Sequence, residues 1–129
     1  MGDNVVLNGT VAQGLGEGAL YLSMEHYKKE IKNKLGFEAY PGTLNLKVDE
    51  NQVDLLGKMI AIKINGYKSE DKIFYGAKCF RARVQNISGA IIIPDRTEHK
   101  GTIEFIAPVH LKSELKIKDN DKIKVELIQ

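Results

Sequence analysis

The sequence has a single cysteine, Cys79, and no tryptophan. One thiol excludes an internal disulfide and a cysteine-based zinc site, and it suits a reducing, cytoplasmic setting. With five tyrosines and four phenylalanines, any aromatic platform for a ligand must be assembled from few side chains. Long apolar runs are also missing. No stretch approaches the roughly 18 to 20 residues a membrane span needs, and the opening MGDNVVLNG has no basic region followed by an apolar run, so neither membrane nor secretory signal is expected. Charge of one sign is scarce too: 19 Lys and Arg stand against 17 Asp and Glu, a formal net charge of +2. That excess is too small for a general nucleic-acid binder, though it allows a local basic pocket for one anionic ligand. The 129 residues are enough for one domain with its own core and too few for two ordinary ones, so a single domain over 1–129 is expected.

What is present is mainly period-two alternation. Val5, Leu7 and Val11 are candidate inward positions of a first strand, Leu44, Leu46 and Val48 of a second, and Ile60, Ile62 and Ile64 of a third. Asn65-Gly66 follows the third and is a favoured centre for a two-residue hairpin. Further strands are expected within 72–84 and in GAIIIP, TIEFIAP and KIKVELI, each bounded by Gly, Pro, Asn or Asp. Short strands at this spacing read as a small barrel or sandwich. One segment departs from the pattern. Tyr27, Ile31 and Leu35 recur every four residues, which predicts a helix over about residues 24–35, with Ser23 as N-cap, Glu25 in the first turn and Gly36 beyond its end. A second helical turn is expected over 109–115, and KDND turns the chain into the last strand. The fold class is therefore mainly β with one main α-helix.

Three stretches carry candidate chemistry. AQGLGEGALYLS places Gly14, Gly16 and Gly18 between a strand and a helix, where bare backbone N–H groups can approach a phosphate. It has no lysine, so it is not a Walker loop, and a tight turn remains the other reading. In YPGTLNL, Pro41-Gly42 turns the chain, after which Thr43 and Asn45 share one face while Leu44 and Leu46 share the other. A hydroxyl and an amide oxygen side by side can hold Mg2+, a hard cation that also takes phosphate oxygens. The plainer reading makes them polar residues of an exposed strand face. In RTEHKGTIEFIAPVHLK, Glu104 faces opposite to Ile103 and Phe105, either into solvent or into a pocket, and His99 is an acid–base candidate or a solvated loop residue. His26 and His110 have no partners at metal-ligand spacing.

Taken in order, GLGEG, YLS, LGFEAYPGTLNL, GAIIIP, IEFIAP and LKIKDNDKIKV resemble the archaeal CTP-dependent riboflavin kinases over roughly residues 5–127. The resemblance implies a six-stranded β-barrel of the cradle-loop type that transfers the CTP γ-phosphoryl group to the riboflavin 5′-hydroxyl, giving FMN and CDP, with Mg2+ as cofactor. Carried over residue by residue, Gly14, Leu15, Gly16, Glu17, Gly18, Ala19 and Leu20 match one nucleotide-binding segment, and Val109, His110, Leu111 and Lys112 match a second. Thr43 and Asn45 match the Mg2+ ligands. Thr97 and Glu104 match flavin contacts, Glu104 being also the candidate catalytic acceptor of the hydroxyl proton. Relatives can carry a basic residue where Ala19 stands, so a phosphate contact from that side chain is not expected here. Some relatives add an N-terminal helix-turn-helix domain; this chain resembles the stand-alone enzyme, a cytoplasmic monomer with no nucleic-acid partner. The alternative is a non-enzymatic flavin- or nucleotide-binding barrel acting as a sensor or oligomerisation module.

Overall fold

Alternation along the strands divides the residues between two faces of one curved sheet; the inner face is buried and the outer face is buried only where a helix covers it. In the computed structural model, which describes residues 5–13, 21–95 and 101–128, the strands are β1 (Val6–Ala12), β2 (Leu44–Lys47), β3 (Ile62–Ile64), β4 (Tyr67–Ser69), β5 (Lys72–Phe74), β6 (Ala77–Val84), β7 (Ile87–Pro94), β8 (Thr102–Ile106) and β9 (Lys122–Leu127). The helices are α1 (Glu25–Leu35), α2 (Glu50–Leu56) and α3 (Leu111–Leu115). Six strands pair antiparallel in the order β6-β7-β8-β2-β1-β9, and β9 returns to β6 through Ala82–Leu127 and Arg83–Glu126. This closes the six-stranded barrel that the resemblance implies, with the short β3 outside it on β6.

The barrel interior holds Leu7, Val11, Leu44, Leu46, Phe80, Ile91, Ile103, Phe105 and Val125. A second core lies on the outer face, where Tyr27, Ile31 and Leu35 of α1 cover Ala77, Cys79, Ala90, Ile92 and Ile106. This explains why GAIIIP reads as a continuous apolar run: Ile91 points into the barrel and Ala90 and Ile92 point under the helix. Each large side chain so buried contributes roughly 1.5–3 kcal/mol. The end of α1 is fastened twice. Gly36 takes the left-handed conformation at φ 86°, its N–H donating to the Lys32 carbonyl. The Arg81 guanidinium donates to the carbonyls of Leu35 at 3.0 Å and Lys34 at 3.2 Å, which places a cation at the negative end of the helix.

Three local expectations are corrected. Residues 21–23 are already helical, so the extended residue before α1 is Met24 and not Ser23. The third strand is shorter than its alternation suggests, because Ile60 is 92% exposed. The edge of β6 that Ile60 would need is taken, since the Ile128 N–H donates to the Arg81 carbonyl. Asn65-Gly66 does not centre a hairpin: β3 pairs with β6, β4 pairs with β5, and the tight turn falls at Glu70-Asp71, with Glu70 at φ 52°. Glycine is needed at 66 for a different reason, because a Cβ there would collide with the Phe74 carbonyl oxygen. In addition, the expectations include no helix where α2 lies. It buries only Leu56, too little to leave a periodic signal.

Candidate active site

One row of residues crosses the outer face of the sheet: Ala12, Asn45, Glu104, Ile92, Cys79 and Ile62, each directly opposite the next. Side chains in such a row share a face. The half at Ile92 and Cys79 is dry and lies under α1. Beyond Ile92 the helical cover ends and the row becomes polar.

At that boundary is a cavity of about 290 Å³. Ile92, Pro94, Thr43 and Glu104 line it from the barrel, Tyr21, Leu22 and Tyr27 from the helical side, and Ile73, Phe74, Tyr75 and Gly76 from the β4–β5 hairpin and its exit. The aromatic wall is interlocked. The Tyr21 and Tyr27 rings stack with centroids 3.7 Å apart, and Tyr67 stacks on Phe74 at 4.7 Å. Both phenols donate to one acceptor, the Tyr75 carbonyl, Tyr27 at 2.6 Å and Tyr21 at 3.0 Å. Burial, and next the adjacent Tyr27 phenol, push the Tyr21 hydroxyl above its ordinary pKa, so it stays a donor. The hairpin is held from α1 a second time: His26 Nε2 donates to the Asn65 carbonyl at 2.7 Å, and the Asn65 N–H donates to Glu30 Oε1 at 2.8 Å.

The polar end of the cavity is built from β2 and β8. Leu44 and Leu46 are buried in the barrel, which turns Thr43 and Asn45 outward, as their spacing predicts. Ile103 and Phe105 do the same for Glu104, which therefore faces the pocket. The Thr43 hydroxyl donates to Glu104 Oε1 at 3.0 Å. Asn45 Nδ2 lies 3.4 Å from both Thr43 Oγ1 and the Thr43 carbonyl, the long end of the hydrogen-bond range. The hydroxyl is thus tied and the amide loosely held. All the acceptors here are hard oxygens. Among the described residues no group of three His, Cys, Asp or Glu is placed to hold a metal; a cation at this site would be held by neutral Thr and Asn oxygens with the carboxylate beside them, a donor set that fits Mg2+ bound together with phosphates.

The other candidate residues divide. Leu111 of the second nucleotide segment is buried, and His110 precedes α3, its Nδ1 sharing a hydrogen bond with the Ser113 hydroxyl at 2.6 Å. Its ring lies 5.1 Å from that of Tyr40, whose N–H donates to the Ala107 carbonyl, so this segment leaves β8 beside the turn that leads into Thr43. Lys112 pairs with Asp119 at 2.8 Å. Residues 14–20, His99 and Thr97 lie outside the described residues. The flanks of the glycine loop do meet the site: Ala12 pairs with Asn45, and Tyr21 and Leu22 line the cavity. The aromatic wall escaped the sequence reading. Tyr27 was legible as core, but nothing local connects it with Phe74 or Tyr75, and YLS was the only hint of Tyr21.

Against this geometry, a family model named for CTP-dependent riboflavin kinases, and described as a domain of unknown function, DUF120, matches residues 11–127. The chain belongs to this family. Among similar proteins, a riboflavin kinase of Archaeoglobus fulgidus is 41% identical over 96% of this chain, one of Pyrobaculum islandicum is 41% identical over 96%, and one of Thermoplasma acidophilum is 40% identical over 97%. The matched regions are 55%, 61% and 58% of those proteins, so the chain spans under two thirds of the length of the curated relatives it matches. In this member of the CTP-dependent riboflavin kinase family, no described helix is long and apolar enough to cross a membrane.

Proposed function

We propose that the chain is the catalytic barrel of a riboflavin kinase, transferring the γ-phosphoryl group of CTP to the riboflavin 5′-hydroxyl with Mg2+ to give FMN and CDP. The observation that carries this reading is the two-ended cavity: a wall of Tyr21, Tyr27, Phe74 and Tyr75 suited to a planar ring, and at the other end Thr43 and Glu104 suited to a hydroxyl and a phosphate. In the reaction a bond forms from the 5′-oxygen to the γ-phosphorus and the bond from that phosphorus to the β–γ bridging oxygen breaks. Such a transfer asks for positioning and charge neutralisation more than for covalent help.

The residues divide the work. The aromatic wall holds the isoalloxazine ring and excludes water. Glu104 accepts a hydrogen bond from the 5′-hydroxyl and so holds the attacking oxygen; a loose transition state demands little from a base, so binding is its main role. Thr97 adds a flavin contact. Thr43 and Asn45 hold Mg2+, which when bound offsets charge on the phosphate oxygens. Gly14, Leu15, Gly16, Glu17, Gly18, Ala19 and Leu20 offer backbone N–H groups to the phosphates, and Val109, His110, Leu111 and Lys112 take the rest of the nucleotide. Preference for CTP is supported by the family's name and not by residue chemistry. Incubating purified protein with riboflavin, Mg2+ and each of CTP, ATP, GTP and UTP should yield FMN with CTP as the best donor. Tight riboflavin binding with no FMN from any donor would replace the kinase by a flavin sensor.

A further inference from the structure

Thr43 lies just outside the regular ladder. It follows the Pro41-Gly42 turn and stands one residue before the β2–β8 ladder begins at Leu44–Phe105. Its hydroxyl is nevertheless fixed, because the bond to Glu104 Oε1 ties it to β8. An ionised carboxylate only accepts hydrogen bonds, so the hydroxyl proton must point at Glu104, and the hydroxyl lone pairs are turned elsewhere. Asn45 is directly opposite Glu104 in the ladder. Its amide nitrogen reaches the Thr43 oxygen only at 3.4 Å, so a half-turn of the amide brings its oxygen to that side at little cost.

We propose that Glu104 is a positioning residue for cation binding: by taking the Thr43 proton it aims the hydroxyl lone pairs at the place where Asn45 can present its oxygen. This rests on the reading of Thr43 and Asn45 as cation ligands and adds a role for Glu104 separate from any flavin contact. Partners of this kind orient a ligand, and their loss costs about 10- to 100-fold in metal affinity.

The test is a titration of Mn2+ into protein saturated with CDP, with free Mn2+ read by electron paramagnetic resonance and the fold checked by circular dichroism. Glu104→Ala should weaken Mn2+ by about tenfold, whereas Glu104→Gln, which keeps an oxygen to accept the Thr43 proton, should stay within about threefold of wild type. In a Thr43→Val background, Glu104→Ala should add no further loss, since the oriented group is already gone. A Gln variant as weak as the Ala variant would mean that the carboxylate acts through its charge and would overturn the proposal. So would an undiminished effect of Glu104→Ala in the Thr43→Val background. If Thr43→Val and Asn45→Ala both bind Mn2+ like wild type, the cation reading itself fails and takes this proposal with it. Quenching of riboflavin fluorescence in the same variants reads the flavin contact independently.

Discussion

The row across the outer face of the barrel has two halves with the same strand geometry and opposite chemistry. At Cys79 and Ile92 the side chains are buried under Tyr27, Ile31 and Leu35 of α1. At Glu104 and Asn45, one and two strands further on, the side chains are half-buried and polar. What changes is the cover and not the sheet, for the barrel interior beneath both halves is filled by the same kind of aliphatic and Phe packing. The helix stops short, and the cavity opens where it stops. A site at the margin of a helical cover has rigid strands to hold its polar groups and an interlocked aromatic wall beside them. The covered half should therefore govern stability, and the open half should govern ligand chemistry.

Substitutions can break that division. The largest effect is expected at Tyr27, which is fully buried and bonds the hairpin through the Tyr75 carbonyl. Tyr27→Ala should cost roughly 3–5 kcal/mol of stability in urea unfolding, a large part of a typical total of about 5–15 kcal/mol. A loss below about 1 kcal/mol would show that α1 is not a structural cover. Asn45→Ala tests the open half. FMN formation should fall on the order of 100-fold, while stability stays within about 0.5 kcal/mol. Activity near wild type at limiting Mg2+ would remove Asn45 from the chemistry.

The smallest effect sharpens the covered half. Burial pushes the Cys79 thiol from an ordinary value of 9.0 up to about 12. The folded state therefore keeps its proton where the unfolded chain has lost it. Above pH 9 the unfolded state binds fewer protons, so stability falls as pH rises, and this thiol's share is lost progressively up to about pH 12. The slope from this group is at most about 1.4 kcal/mol per pH unit. Urea unfolding of wild type and Cys79→Ala between pH 9 and 10 should show a steeper fall in wild type, because the raised Tyr21 and Tyr27 hydroxyls contribute to both proteins and the thiol to wild type alone. Equal slopes would mean that the thiol ionises as readily in the folded chain.

The two halves were unequally legible. Thr43, Asn45 and Glu104 could be placed on the outer face because each sits between buried neighbours in a strand of period two, and α1 could be placed by its stripe of Tyr27, Ile31 and Leu35. The aromatic wall could not, because Tyr21, Tyr27 and Tyr75 meet through hydrogen bonds spanning 48 and 54 residues. Ile60 misled for a related reason. Its alternation was correct as a local pattern, but whether a strand continues depends on a free partner edge, and Ile128 occupies that edge.

By itself, then, the sequence determined which face of each strand a residue occupies, where the main helix runs and how it ends, because these follow from short periods and from Gly36. It also determined family membership, through motifs in order along the chain. Closure of the barrel through β6 and β9, the place where the helical cover stops, and the bond from Thr43 to Glu104 were decided only by tertiary structure. These depend on partners that are distant in the chain, and no local pattern of residues encodes which distant edge, carbonyl or carboxylate a group will meet.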